Sequence, residues 1–274
     1  MNILILIVFG LCFGSFVNAF VWRLHELQTK KPNTKQKKAL SPLNGRSMCT
    51  SCRHELAWYD LLPVFSWVSL GGKCRYCHKA ISWQYPLVEI ATACLFVLSF
   101  VVWPLGFGVT GNALFVVWLV FIVAFMALAV YDIRWMELPN KIVYPFLGLG
   151  VFQVVLRMAH SGDVVGTLLG ALFGFVAIGG LFWALYQISD GKWIGGGDVK
   201  LAFVIGPLVA SGVLSLMVIF FASLLGTMFA VPFMVRGKLK TGSRIPFGPF
   251  LIVATIIVYL FGRRILEWYL QGMV

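Results

Sequence analysis

Between Lys200 and Arg236 the sequence runs for 35 residues without a charged side chain. One crossing of a bilayer takes about 20 apolar residues, and the segments flanking this run are both basic, so the run crosses twice and returns to the side it left. Ser211-Gly212 is the natural turn. Backbone in hydrocarbon must satisfy its own hydrogen bonds, which commits these stretches to helix. Further apolar runs at 2–22, 87–103, 113–131, 142–158, 164–186 and 246–262 bring the expected total to about eight transmembrane helices. The chain is 60% hydrophobic and 12% charged, with mean hydropathy +0.90. A soluble domain carries about 25% charge, so the expected class is an all-α polytopic membrane protein.

The net charge of +12 raises nucleic acid as a partner, but the placement of the charges excludes it. Of 22 Lys and Arg, 11 lie between Arg23 and Lys79, and 8 more occupy Arg134, Lys141, Lys192, Lys200, Arg236, Lys238, Lys240 and Arg244. Short basic segments between apolar runs mark the cytoplasmic side, with contact to anionic lipid as a secondary consequence. Arg263 and Arg264 fall outside, against the rule. No basic residue precedes the run 2–22 and a basic segment follows it, the pattern of a retained span with its N-terminus outside rather than of a cleaved signal. Within that span Gly10 and Gly14 are spaced for close helix packing, and Asn18 calls for an interhelical hydrogen bond.

Residues 24–86 form the one sizeable polar segment, between a first helix over 1–23 and a membrane domain over 87–274. It opens with a Lys-rich stretch, Lys30 to Lys38, suited to the membrane surface. Cys49-Thr50-Ser51-Cys52 and Cys74-Arg75-Tyr76-Cys77 then make two Cys-x-x-Cys knuckles 21 residues apart, the spacing of a tetrahedral four-thiolate zinc site. Such a zinc is structural: so short a segment has too small a core to fold alone, and metal binding supplies the missing free energy. Cytoplasmic location disfavours disulfides. Cys77-His78 completes a haem-attachment pattern, but that chemistry needs an exported segment and leaves the first knuckle unexplained. His54 and His78 read as solvated surface or spare ligands, and Cys12 and Cys94 as small core residues. No internal repeat stands out in the sequence.

Two acids stand at the ends of spans on the same face. Asp132 follows the run Ala113 to Tyr131, and Asp198 closes the cluster Gly195-Gly196-Gly197 just before Leu201. Acids at a bilayer edge pair, line wet cavities or do chemistry. If these two approach within a few ångströms they hold a single proton between them, one carboxylate as general base and the other as general acid, which is the chemistry of water attacking an amide. The glycines permit positive φ and close backbone approach, so a substrate chain could lie against the loop. Asp198 also suits a plain helix start, where a carboxylate caps free N–H groups. Glu89, Glu137 and Asp190 are further acids near this face, placed for headgroup water or a basic substrate; for Glu89 the simple expectation is an interfacial side chain with access to water.

Gly14-Ser15-Phe16-Val17-Asn18, the paired knuckles, Trp58 to Val64, Ile81-Ser82 with Tyr85 to Glu89, Asp132 with Leu138-Pro139, Gly195 to Asp198, and Pro246 to Phe250 together resemble the type IV prepilin peptidases over almost the whole chain. The resemblance implies an intramembrane aspartyl protease of the Gly-x-Gly-Asp kind in the bacterial inner membrane, with Asp132 and Asp198 as the catalytic pair. It implies prepilin and pseudopilin precursors as substrates, cut on the cytoplasmic side before the first mature residue. It further implies methylation of the new amine with S-adenosylmethionine, although the polar segment has no Gly-x-Gly-x-x-Gly fingerprint and no room for a Rossmann domain. Asn140 stands where the family often has Asp. Rival readings are a transporter relaying protons or cations through the two aspartates, and a non-catalytic assembly platform held by its knuckle.

Overall fold

A computed structural model describes residues 2–29, 40–42, 45–237 and 245–272. The Lys30 to Lys38 stretch and Lys238, Lys240 and Arg244 of the basic loop lie outside the described residues. The described chain is helical and forms two compact units: Met1–Val101 with Phe125–Val130, and Val102–Ala124 with Tyr131–Val274.

The first unit contains α1 (Ile3–Thr29), the knuckle segment with a short helix α2 (Phe65–Ser69), and α3 (Gln84–Val101). Small residues set the contact between α1 and α3. A Cβ placed on Gly10 would fall 2.5 Å from Ala93 Cα, and one on Gly14 2.5 Å from Glu89 Cα, so only glycine allows this approach. Asn18 makes its interhelical bonds, donating to the Tyr85 carbonyl at 3.1 Å and accepting from Gln84 Nε2 at 3.2 Å. Cys12 and Cys94 depart from expectation: both are exposed on the outer faces of their helices, because an apolar run in a membrane helix supplies a lipid-facing side as well as a core.

The long helix α4 (Val109–Trp135) continues four residues past the expected end of its span, carrying Asp132 inside its last turn. It stops where Met136 takes a left-handed conformation (φ 54°) and its N–H closes on the Asp132 carbonyl at 2.8 Å. In the second unit follow α5 (Asn140–Ser161), α6 (Val164–Ile188, with a π-helical segment over Phe175–Gly180), α7 (Gly196–Val209), α8 (Gly212–Val235) and α9 (Gly248–Gln271). Among the described residues, seven helices are long and apolar enough to cross a membrane. The eighth apolar segment is α7, whose 14 residues span only about 21 Å at helical rise. It is nonetheless buried along most of its length, from Val199 to Val209. The turn at Ser211 is as expected, its hydroxyl capping α8 by accepting from Leu214 N–H. Arg263 and Arg264 do not end the last span; α9 runs on through them to Gln271.

Candidate active site

Gly195 is the N-cap of α7, which makes Asp198 the third residue of its first turn. The carboxylate turns back toward the Gly195 N–H, as the third residue of a capping box does, so the plain role of a helix-start acid is met. The glycine cluster serves close approach rather than unusual dihedrals. None of Gly195, Gly196 and Gly197 has positive φ, contrary to one use expected of them, while Gly191 just upstream does (φ 71°). Gly197 is the tight position: a Cβ there would meet Leu138 Cβ at 3.0 Å, so the segment after α4 lies directly on the start of α7.

This approach brings the two aspartates to one place. A Cβ built on Gly248, the first residue of α9, falls 2.6 Å from Oδ2 of Asp132 and 3.6 Å from Oδ1 of Asp198. The two carboxylates therefore flank a single point, and that point is open because residue 248 has no side chain. The Gly248 N–H faces the Asp132 carboxylate, whose Oδ2 is buried without a hydrogen-bond partner. Asp132 is 5% exposed, so an unsatisfied oxygen there is costly unless something else supplies a proton or a donor. A cavity of about 380 Å³ opens on the pair, lined among others by Glu137, Leu138, Asn140, Gly195 to Gly197 and Lys200. Asn140 accepts from Lys200 Nζ at 2.8 Å, so an amide oxygen already satisfies this lysine at the rim. Of the other acids, Glu137 lines this cavity, Asp190 is exposed, and Glu89 belongs to the first unit. Glu89 is not an interfacial, water-exposed side chain: only 5% of it is exposed, because α1 lies against it through Gly14.

Gly248 is the residue that sequence reasoning did not single out as part of the site. Its signal was present in Pro246-Phe247-Gly248-Pro249-Phe250, a glycine held between bulky residues at a helix start.

The four knuckle cysteines converge in the first unit. The sulfurs of Cys49, Cys52, Cys74 and Cys77 lie within 4.8 Å of one another, and Cys49 and Cys77 are 3.9 Å apart. A tetrahedral ion with Zn–S bonds of about 2.3 Å would set the sulfurs about 3.8 Å apart, so the cluster fits a metal of that size. The two knuckles are local copies of one another. Each first cysteine donates to a carbonyl five residues on (Cys49 to His54, Cys74 to Lys79), and each residue after the second cysteine, Arg53 or His78, is left-handed. The sequence hides this eight-residue repeat because only the cysteines are shared. Burial opposes a Cys49 thiolate, but the N–H groups of Cys52 and Ser51 and the neighbouring thiols bring its pKa down to about 7. For Cys77 the Lys79 N–H favours the thiolate, while burial and the other three sulfurs outweigh it and push it up to about 11. The Cys49 and Cys77 sulfurs thus differ sharply in their hold on a proton, and a cation between them would favour the thiolate at both. Neither His54, whose ring lies on Tyr76, nor His78 joins the sulfur cluster.

Residues 119–231 match the type IV leader peptidase family, and residues 8–103 match the bacterial peptidase A24 N-terminal domain. A prepilin leader peptidase/N-methyltransferase of Pseudomonas aeruginosa is 32% identical over 281 residues, covering 98% of this chain and 93% of its own. The protein of the same name from Bacillus subtilis is 33% identical over 97% of both chains. That from Aeromonas salmonicida is 31% identical over 96% of this chain and 92% of its own. No solved structure matches.

Proposed function

The chain belongs to the type IV leader peptidase family, and we propose that it removes the leader of prepilins and pseudopilins with Asp132 and Asp198 as its catalytic pair. The observation that carries this reading is the single point flanked by both carboxylates beside Gly248. One carboxylate, deprotonated, takes a proton from a water, which attacks the scissile carbonyl carbon. The other, protonated, donates to the carbonyl oxygen. As the tetrahedral intermediate collapses the roles exchange, and the proton passes to the leaving amine while the C–N bond breaks. The buried setting of Asp132 and the nearby N–H groups of Gly195 and Gly248 hold the pair in place before substrate arrives.

The protein would lie in the bacterial inner membrane with the pair on the cytoplasmic side, a placement that the basic segments around Lys141, Lys192 and Lys200 support. The apolar part of a prepilin would then enter from the lipid while its basic leader stays in the cytoplasm, near Glu137. Residues 24–86 would form a cytoplasmic domain folded around one structural zinc held by Cys49, Cys52, Cys74 and Cys77. The chain would also methylate the new N-terminal amine with S-adenosylmethionine, the second activity in its relatives' names.

The test is to incubate the purified chain with a prepilin and weigh the products. The reading expects a mature chain that has lost its leader and, with S-adenosylmethionine present, gained about 14 Da on its N-terminal amine. A prepilin left uncut by folded protein would contradict it.

A further inference from the structure

The second unit holds a cavity of about 180 Å³ at the end of α7 opposite Asp198. At about 10–15 Å³ per water it has room for roughly a dozen waters, enough for a phosphate group and its ester oxygens. Three arginines stand in its wall: Arg157 from α5, and Arg263 and Arg264 from α9, the two that go against the charge rule. Arg157 is held in place from one side. Its guanidinium lies 5.1 Å from the centre of the Tyr259 ring; that ring stacks on the buried Trp118 at 3.9 Å, and its hydroxyl accepts from Gln153 Nε2 at 2.7 Å. One Nη of Arg157 donates to the Val209 carbonyl at 3.3 Å, but its Nε is buried without a hydrogen-bond partner.

Capping the last carbonyls of α7 accounts for that one Nη of Arg157 and leaves the other donors unexplained. Neighbouring acids do not explain them either. At this end of the spans, Asp163 accepts from the Gly166 N–H at the start of α6, and Glu267 is exposed and makes no ion pair with Arg263 or Arg264 one turn earlier. Three guanidinium groups therefore face one cavity with no carboxylate paired to them among the described residues. Cations drawn together beside apolar spans call for an anion. The start of α8, with Ser211 in the same wall, adds the positive end of a helix dipole.

We propose that this cavity binds the phosphate of an anionic phospholipid, with Arg157, Arg263 and Arg264 as its partners. Guanidinium forks match phosphate oxygens in pairs, and three positive charges favour a headgroup of net negative charge over a zwitterionic one. A free phosphate offers the same oxygens. The neighbouring surface decides for lipid: an apolar groove of about 430 Å³ shares Leu266 with the cavity and is lined from α8 and α9 by Val213, Phe220, Trp268 and Tyr269 among others, a bed for an acyl chain. Trp268 and Tyr269 are both exposed, as aromatic residues at a membrane–water boundary are. A lipid seated there ties α5, α8 and α9 together at the end away from the two carboxylates. It also gives Arg263 and Arg264 a physical reason to stand against the charge rule.

The experiment uses the full chain in detergent and measures lipid binding, so its failure leaves the peptidase reading untouched. A photoreactive phosphatidylglycerol is crosslinked to wild type and mapped by peptide. Retention of phosphatidylglycerol and of phosphatidylethanolamine with the same acyl chains is compared by native mass spectrometry in wild type, in Arg157→Gln and in the double variant Arg263→Gln with Arg264→Gln. The expected results are label on the peptides that line the cavity and groove, displaced by unlabelled phosphatidylglycerol but not by inorganic phosphate, and a wild-type preference for phosphatidylglycerol that is at least about tenfold weaker in both variants. Equal retention of the two lipids, variants that hold phosphatidylglycerol as wild type does, or label confined to other surfaces overturns the site. Displacement by inorganic phosphate overturns lipid as its ligand. Arg263 and Arg264 are exposed, so the double variant keeps its fold even where Arg157→Gln does not, and crosslinking needs no variant.

Discussion

Gly248 keeps the space between the two carboxylates open. Its φ is not in the left-handed region, so alanine is conformationally acceptable there, and helix propensity favours it by up to about 1 kcal/mol. A methyl group would nevertheless sit 2.6 Å from Asp132 Oδ2. Gly248→Ala is therefore expected to keep its fold and thermal stability while cleaving at least about a hundredfold more slowly, as small displacements of reacting groups do. Circular dichroism and a cleavage assay on the same sample check this, and wild-type cleavage would show the contact to be harmless. The two aspartates were legible in sequence because charge is conspicuous beside apolar runs. Gly248 was not, since its importance lies in two contacts far away along the chain that no local pattern reports. Glu89 was misjudged for a related reason: its position near a span's start suggested water, and only the glycine-mediated approach of α1 buries it.

Among the helices, α7 carries Asp198 and is held by small residues. A Cβ on Gly206 would fall 2.5 Å from the Gly174 carbonyl oxygen and 2.7 Å from Phe175 Cα, which are backbone atoms that cannot step aside. Gly206→Val should cost about 1–3 kcal/mol and displace α7 from α6, lowering both the unfolding midpoint and cleavage. Gly148, with nothing within 4 Å of its would-be Cβ, is the control: Gly148→Ala should cleave normally and gain about 0.5–1 kcal/mol. Thermal unfolding of the two variants in one detergent separates these outcomes. Element number and order could be read from hydropathy, since spans announce themselves by length. Their ends could not. The expectation stopped α4 at its first charge and α9 before Arg263, whereas the backbone carries both helices further. Helix termini are set by where hydrogen bonds can be closed, as Met136 closes α4, and not by where apolar residues run out.

At the scale of the whole molecule the knuckle and the aspartates lie in different units. Zinc content should be about one per chain, and Cys49→Ser or Cys74→Ser should lose the metal. Such variants, or wild type treated with a chelator, should lose methylation before cleavage, which metal analysis and product masses taken together would reveal. Equal loss of both activities would mean that the metal supports the second unit as well. The cysteine spacing is legible in sequence, because four thiolates around one ion demand two close pairs.

Whether Asp132 and Asp198 act as one catalytic unit is decided by single-turnover cleavage of a prepilin by Asp132→Asn, Asp198→Asn and the double variant. Groups that work as a unit are strongly non-additive, so each single variant should abolish cleavage while remaining folded, and the double variant should be no worse than either. Cleavage near the wild-type rate in either single variant, or losses that multiply in the double, would contradict it.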